Sequence, residues 1–371
     1  MKEVGKIWMN GKLVPFKDAK VHVLTHALHY STSIFEGIRC YNTPNGSAIF
    51  RLPEHVDRFF KSAKLYSMKM QFTKKQISEG IIKTVKTSGL KECYIRPLAY
   101  YGYGTMGLTP TANKVDASIA CWEWKMGESK AGKFSGAKCK VSSWIKIDSR
   151  SQPTQAKAAS NYANAALARM EALENGYDEA IMLNWKGKIA EGSAENIFVV
   201  KDDIIYTPPL SAGGLEGITR DSIIQLIEQN GGFVIESDLE RDDLYAADEI
   251  FMTGTAAEVK SVTQVDKVIV GNGKMGPITK ALQKSFSDVV MGKDERFLPW
   301  LTYIWYHEVF YRLENTNYME SCSTGGTHEI CWFCRKGRHE DCMKQIPTQG
   351  KSEGPHDCTF DTKLVPCKCS H

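Results

Sequence analysis

Residues 156–162 read AKAASNY, 190–198 read AEGSAENIF, 214–221 read GLEGITRD and 252–258 read MTGTAAE. What surrounds these four segments sets the fold class. The first runs into a helical stretch from about 161 to 175 closed by Gly176, and the third into a helix from 219 to 230 that also ends at glycine. Gly217, Ile218 and Thr219 open that second helix, and a helix N-terminus offers backbone N–H groups to an anion. Apolar runs at 139–147, 179–184, 195–201 and 203–207, the run DEIFMTG and a pair around Gly271 to Gly273 read as strands, with a last helix from 277 to 291. Towards the N-terminus, IWMNGKLV (7–14) carries an Asn10-Gly11 hairpin turn, and SIFEGIRCY and SAIFRL flank the turn TPNG at 43–46. Val56, Phe59, Phe60 and Ala63 then repeat at helical spacing, with Arg58 on the other face. Thr73 to Gln76 fits a capping box opening a helix through Ile77, Ile81 and Val85 to Gly89, and strands follow near 93–101 and 115–124. Helices interrupt strands without a regular βαβ alternation, so the expected class is α+β, not a doubly wound sheet.

The 371 residues correspond to two or three domains at roughly 150 each. The lysine- and glycine-rich stretch 127–138 is the candidate linker between an N-terminal α+β domain (1–126) and a second α+β domain (139–304). A connector (305–318) and a cysteine-rich module (319–371) follow. Apolar residues make up 42% and charged residues 24%, which disfavours disorder, collagen and coiled coil. With 47 basic against 43 acidic residues, no nucleic-acid or membrane footprint spreads over the whole molecule. No signal-peptide pattern opens the sequence, so the expected home is a reducing cytoplasm. The most apolar stretch, Phe297 to Tyr311, is broken by Pro299, His307 and Glu308 and falls short of the roughly 20 residues that span a bilayer, so it reads as a helix or docking segment.

Together with HALHYSTSIFEGIRCY (26–41) and YIRPL (94–98), the four segments resemble, in order, the branched-chain amino acid aminotransferases, pyridoxal-phosphate enzymes of fold type IV. The resemblance runs from about residue 5 to about residue 300. It implies a two-domain fold and reversible transfer of the amino group of L-leucine, L-isoleucine or L-valine to 2-oxoglutarate. D-amino acid aminotransferases and aminodeoxychorismate lyases share the fold, its lysine and its glutamate; FEGIR and YIRPL favour the branched-chain reading. A different class of reading makes the body a scaffold and the tail a partner-binding part.

Transamination needs a lysine amine to hold the cofactor as a Schiff base and to move a proton at the substrate Cα, and Lys157 matches the family's lysine. Small residues on both sides of it let a ring approach the backbone. Glu191 matches the anionic partner that keeps the pyridine nitrogen protonated, and Tyr162 the tyrosine bonded to the cofactor's phenolic oxygen. Gly217, Ile218 and Thr219 match the phosphate cup, with Arg58 and Thr255 as further phosphate contacts and Leu215 as a further cofactor-binding residue. Glu216 stands where many relatives carry proline. Phe35, Gly37, Trp124 and Tyr162 match an apolar substrate pocket; Tyr94 and the backbone N–H groups of Thr255 and Ala256 suit the α-carboxylate, and Arg96 the distal carboxylate of glutamate. The resemblance also implies a homodimer, in which Tyr30 and the loop around Leu108 reach the neighbouring subunit's site.

Four of the 11 cysteines lie in the first 300 residues and seven in the last fifty. In a reducing compartment such clusters read as metal ligands before disulfides. Cys331, Cys334, His339 and Cys342 have the donor types and spacing of a tetrahedral zinc site, and Cys358, Cys367, Cys369 and His371 supply a second set. The sets also allow interleaving, Cys331 and Cys334 sharing an ion with Cys367 and Cys369. The alternative is reduced or redox-active thiols on a loose tail. From Trp305 onward 8 basic and 9 acidic residues weakly disfavour nucleic acid, and the tail's partner stays unassigned.

Overall fold

The computed structural model describes residues 4–124, 136–304, 345–349 and 362–366. The chain divides into two compact units, Met1–His307 and Glu308–His371. In the second unit the strands Gln345–Gln349 and Thr362–Pro366 pair antiparallel.

The first unit is built on two sheets, an α+β arrangement as the sequence implies. The first sheet is antiparallel throughout. Its opening hairpin, Lys6–Met9 with Lys12–Pro15, turns at Asn10 and Gly11, both at positive φ (47° and 89°). Strands Ile38–Thr43, Gly46–Phe50, Cys93–Tyr101 and Val115–Glu123 form its centre, and Ser33–Phe35 pairs with the far end of Cys93–Tyr101. Glu36 and Gly37 interrupt the run that the sequence reads as one strand, and this break lies beside the candidate site.

Helices Leu52–Leu65 and Lys74–Ser88 cover this sheet, and Val56, Phe59, Ala63, Ile77, Ile81 and Val85 are buried in its core. The second helix starts at the capping box of Thr73 and Gln76 and stops at Gly89, which takes the left-handed conformation that glycine accepts without strain. Arg58, expected on the outer face, is buried. An ion pair compensates its charge, so helical periodicity alone misplaced it.

The second sheet mixes directions. Ala137–Val141 runs parallel to Glu179–Leu183 and to Glu258–Val265, while Asn196–Lys201, Glu249–Gly254 and Glu258–Val265 are antiparallel neighbours. The candidate linker therefore ends inside a strand at 137–138; 125–135 lie outside the described residues. A strand absent from the sequence reading, Ile189–Gly192, pairs with Glu179–Leu183 and carries Glu191. The hairpin expected around Gly271 to Gly273 turns instead at Asp266 and Lys267, both at positive φ (48° and 72°), joining Glu258–Val265 to Val268–Ile269.

Of the stretch Phe297 to Tyr311, residues 297–304 are described and do not form one helix, and 305–311 lie outside the described residues. A short 3-10 helix, Glu295–Trp300, gives way to strand Leu301–Tyr303, which returns to the first sheet beside Gly46–Phe50. The two sheets also share apolar packing: Tyr41, Ala48 and Phe50 lie in one cluster with Phe198, Phe251, Phe286 and Leu301.

Candidate active site

Lys157 sits in the turn before helix Ala159–Glu174. Its backbone is fixed from both sides, since its N–H donates to Ser62 Oγ at 3.0 Å and its carbonyl accepts from Phe35 N at 2.9 Å. From this anchored backbone, Nζ donates to the Tyr162 hydroxyl at 2.5 Å. Tyr162 lies five positions on, one helical turn into the element Lys157 precedes. Burial, and after it the charge of Arg58, lowers the Lys157 pKa to about 8. Burial and the Glu191 charge push the Tyr162 hydroxyl above its ordinary value.

One pocket is lined by Arg58, Lys157, Tyr162, Glu191, Leu215, Gly217, Ile218, Thr219 and Thr255, together with five residues the sequence reading did not single out. The structure thus brings all nine candidate cofactor residues into one place. Helix Ile218–Gln229 points its N-terminus here, and Gly217 at its N-cap makes no side-chain cap, which leaves the first N–H groups available to an anion. Gly217 is required for close approach: a Cβ there would lie 1.9 Å from Asn196 Oδ1. The Glu216 side chain turns away to pair with Lys61, and its carbonyl accepts from Arg58 Nη1 at 2.8 Å. The Glu216 side chain therefore does not obstruct the helix N-terminus.

Beneath Arg58 lies a carboxylate the sequence reading passed over. Glu36 accepts from Arg58 Nε at 2.7 Å and Nη2 at 2.8 Å, and His55 Nδ1 lies 2.8 Å from its Oε2. Burial raises the Glu36 pKa, yet the Arg58 charge and the hydrogen bonds with Arg58 and His55 outweigh it and hold the carboxyl below its usual range. Glu191 is likewise buried and held, by Leu215 N at 2.9 Å and by Lys146. Asn196 bridges Glu191 to the Leu215 carbonyl. Glu36 and Asn196 sit inside FEGIR and AENIF, so those segments held the signal; Lys146 lies in none of them.

The candidate substrate residues form a wall beside Lys157. Phe35 meets Tyr162 edge-on with ring centroids 4.7 Å apart, and Lys157 Nζ lies 5.1 Å from the Phe35 ring. The Arg96 guanidinium stands over Phe35 at 4.7 Å, and its Nη2 reaches the Tyr94 hydroxyl at 3.4 Å. Tyr94 stacks on Trp122 and tilts against Trp124. Gly37 admits Tyr94, whose hydroxyl would be 2.0 Å from a Cβ at that position. Thr255 and Ala256 occupy the turn between strands Glu249–Gly254 and Glu258–Val265, with Ala256 exposed.

Tyr30 and Leu108 are not brought to Lys157 of the same chain. Tyr30 donates to the Met106 carbonyl, Leu108 is 77% exposed, and buried His26 ties the two segments through Thr32 and the Gly107 carbonyl. All eight candidate metal ligands lie outside the described residues, and no cluster placed to hold a metal ion occurs among the described ones.

Residues 33–265 match the family described as Amino-transferase class IV. The branched-chain-amino-acid aminotransferase of Pseudomonas aeruginosa is 43% identical over 300 residues, which is 81% of this chain and 97% of that protein. Its counterpart from Escherichia coli strain K12 is 42% identical over 301 residues, with the same coverage. The crystal structure of the T.th. branched-chain amino acid aminotransferase with pyridoxamine 5'-phosphate matches at TM-score 0.80 and 44% identity, covering 82% of this chain and 100% of that one. The chain belongs to the class IV aminotransferases, among the branched-chain-amino-acid aminotransferases.

Pyridoxal phosphate is the cofactor expected of this fold type, and the pocket fits it. An amine of lowered proton affinity, a buried carboxylate, an uncapped helix N-terminus and the Arg58 cation line one pocket, where the Thr253 hydroxyl is buried without a hydrogen-bond partner.

Proposed function

We propose that this protein transfers the amino group reversibly between L-leucine, L-isoleucine or L-valine and 2-oxoglutarate, giving the branched 2-oxo acid and L-glutamate. The observation that carries the reading is one pocket joining Lys157, Tyr162, Glu191 and the Gly217 helix terminus, walled on the substrate side by Phe35, Tyr94 and Arg96.

Pyridoxal phosphate, when bound, supplies the electron sink that makes a substrate Cα proton removable. Lys157 takes and returns that proton. With a pKa of about 8, a usable share of its amine is free base near neutral pH. Tyr162 would hold the phenolic oxygen, Glu191 the pyridine nitrogen, and Arg58, Gly217, Ile218, Thr219 and Thr255 the phosphate end, with Leu215 a further cofactor contact. Phe35, Gly37, Trp124 and Tyr162 shape the apolar side-chain pocket and exclude water from it. Tyr94 and the N–H groups of Thr255 and Ala256 orient the α-carboxylate. Arg96 takes the distal carboxylate of glutamate, a role supported by its buried Nε, which has no hydrogen-bond partner.

The same reading makes the protein a homodimer, with Tyr30 and the Leu108 loop completing the neighbour's site. Exposed Val23, Leu28, Tyr103 and Leu108 support it as an apolar face suited to burial against a second copy. Its two-domain division is 1–126 and 139–304. The reduced, buried thiols Cys40, Cys93, Cys121 and Cys139 are consistent with a cytoplasmic home, and no helix among the described residues is long and apolar enough to cross a membrane. The tail is read as a structural zinc module; a full-length protein purified without chelator and carrying no zinc would refute that part.

The deciding experiment assays L-leucine and D-alanine separately with 2-oxoglutarate. Glutamate formed from L-leucine is the expected result. Activity confined to D-alanine overturns the branched-chain reading in favour of the D-amino acid enzymes of the same fold.

A further inference from the structure

Three donors meet the Glu191 carboxylate, and one of them is out of keeping with its surroundings. Leu215 N and Asn196 Nδ2 both approach Oε2, at 2.9 and 3.3 Å, while Lys146 Nζ donates to Oε1. Lys146 is 8% exposed and does not line the pocket, and among the described residues its one ion-pair partner is Glu191. A buried ammonium is costly and is tolerated when a carboxylate compensates it.

A backbone hydrogen bond places Lys146 beside the strand pair that carries Glu191. Lys146 N donates to the Leu183 carbonyl at 2.8 Å at the end of strand Glu179–Leu183. The neighbouring strand, Ile189–Gly192, sets Glu191 opposite Met182, one residue away. Lys146 lies in the segment that follows strand Ala137–Val141, and its hydrogen bond to Leu183 ties that segment to the sheet edge beside Glu191.

We propose that Lys146 is a positioning residue of the transamination site, its ammonium holding Glu191 as an oriented anion towards the pyridine nitrogen of the cofactor. This rests on the reading of Glu191 as the partner of that nitrogen. Glu191 is buried in the pocket wall, and among the described residues Tyr162 and Glu195 also face it. Neither supplies positive charge. Without the lysine, Oε1 of this buried carboxylate loses its ion-pair partner, and nothing among the described residues replaces it in holding Glu191 towards the ring nitrogen.

The test uses full-length apo-protein titrated with pyridoxal phosphate, followed by tryptophan fluorescence and by the absorbance of the bound cofactor. Lys146→Met raises the apparent Kd at least about tenfold, since a buried charge pair has lost one member. It shifts the bound spectrum and lowers kcat with KM for L-leucine unchanged, and Lys146→Arg restores all three. In a Glu191→Gln background, Lys146→Met adds less than about twofold to Kd, because the lysine works only through Glu191. Wild-type binding and spectrum in Lys146→Met, or effects that multiply in the double variant, overturn the proposal. Should Lys146→Met fail to fold, the double variant, which buries no unpaired charge, compared with Glu191→Gln decides it. A Glu191→Gln protein with unchanged Kd and spectrum refutes the reading of Glu191 itself, a result distinct from failure of the lysine alone.

Discussion

Lys157 illustrates what single residues contribute. Its amine is fixed by Tyr162, and burial beside Arg58 brings its pKa to about 8, below an ordinary lysine. Only the neutral form of this amine would be nucleophilic enough to hold the cofactor covalently. The rate at which apo-protein takes up pyridoxal phosphate therefore rises with pH and levels off above about 8, measurable by stopped-flow absorbance. A rate independent of pH between roughly 6 and 9 counts against Lys157 as the attacking amine. Glu36 acts on stability. Its folded pKa is depressed relative to the usual 4.5, so the stability it contributes is fully present above that value and is lost as pH falls towards its folded pKa. At neutral pH Glu36→Gln strands a buried Arg58 and costs about 3–5 kcal/mol. Urea melts of the two proteins should converge as the pH is lowered below 4.5.

Elements place these residues, and their ends matter more than their middles. On the proposed function, the N-terminus of helix Ile218–Gln229 is the phosphate cup, and Gly217 keeps it open. Gly217→Ala drives a Cβ into Asn196, which also holds Glu191 and the Leu215 carbonyl. Cofactor affinity should fall by roughly tenfold or more, with the circular dichroism of the protein unchanged. The Thr73 cap is a purely structural counterpart: Thr73→Ala should cost about 1 kcal/mol in a denaturation curve and leave turnover alone. Helix ends of this kind were readable from glycine and capping patterns. The strand Ile189–Gly192 was not, because four residues ending in Glu-Gly carry too little alternation to register against a loop.

At the scale of the molecule, the chain closes on itself. Strand Leu301–Tyr303 pairs with Gly46–Phe50, and Ile304, fully buried, donates its N–H to the Ser47 carbonyl at 2.9 Å. Leu301 and Ile304 each contribute about 1.5–3 kcal/mol by burial, so a chain ending before 301 loses several kcal/mol from the first sheet's edge. A chain ending after 307 keeps the whole first unit and should retain L-leucine transamination within about twofold of full length. Loss of activity in that truncated protein would tie the tail to catalysis.

The sequence by itself determined the class α+β, the order of the motifs and the helix boundaries set by Thr73, Gly89 and Gly217, because local turn chemistry and ordered motifs are written in neighbouring letters, and its family resemblance pointed to the nine residues from Arg58 to Thr255 that line one pocket. Tertiary structure decided the rest. It buried Arg58 against Glu36, twenty-two positions away, set Lys146 on Glu191 across forty-five, and drew residue 301 back to residue 50. Such pairings depend on which strands become neighbours and on the need of every buried charge for a partner, and no local window of sequence contains either condition.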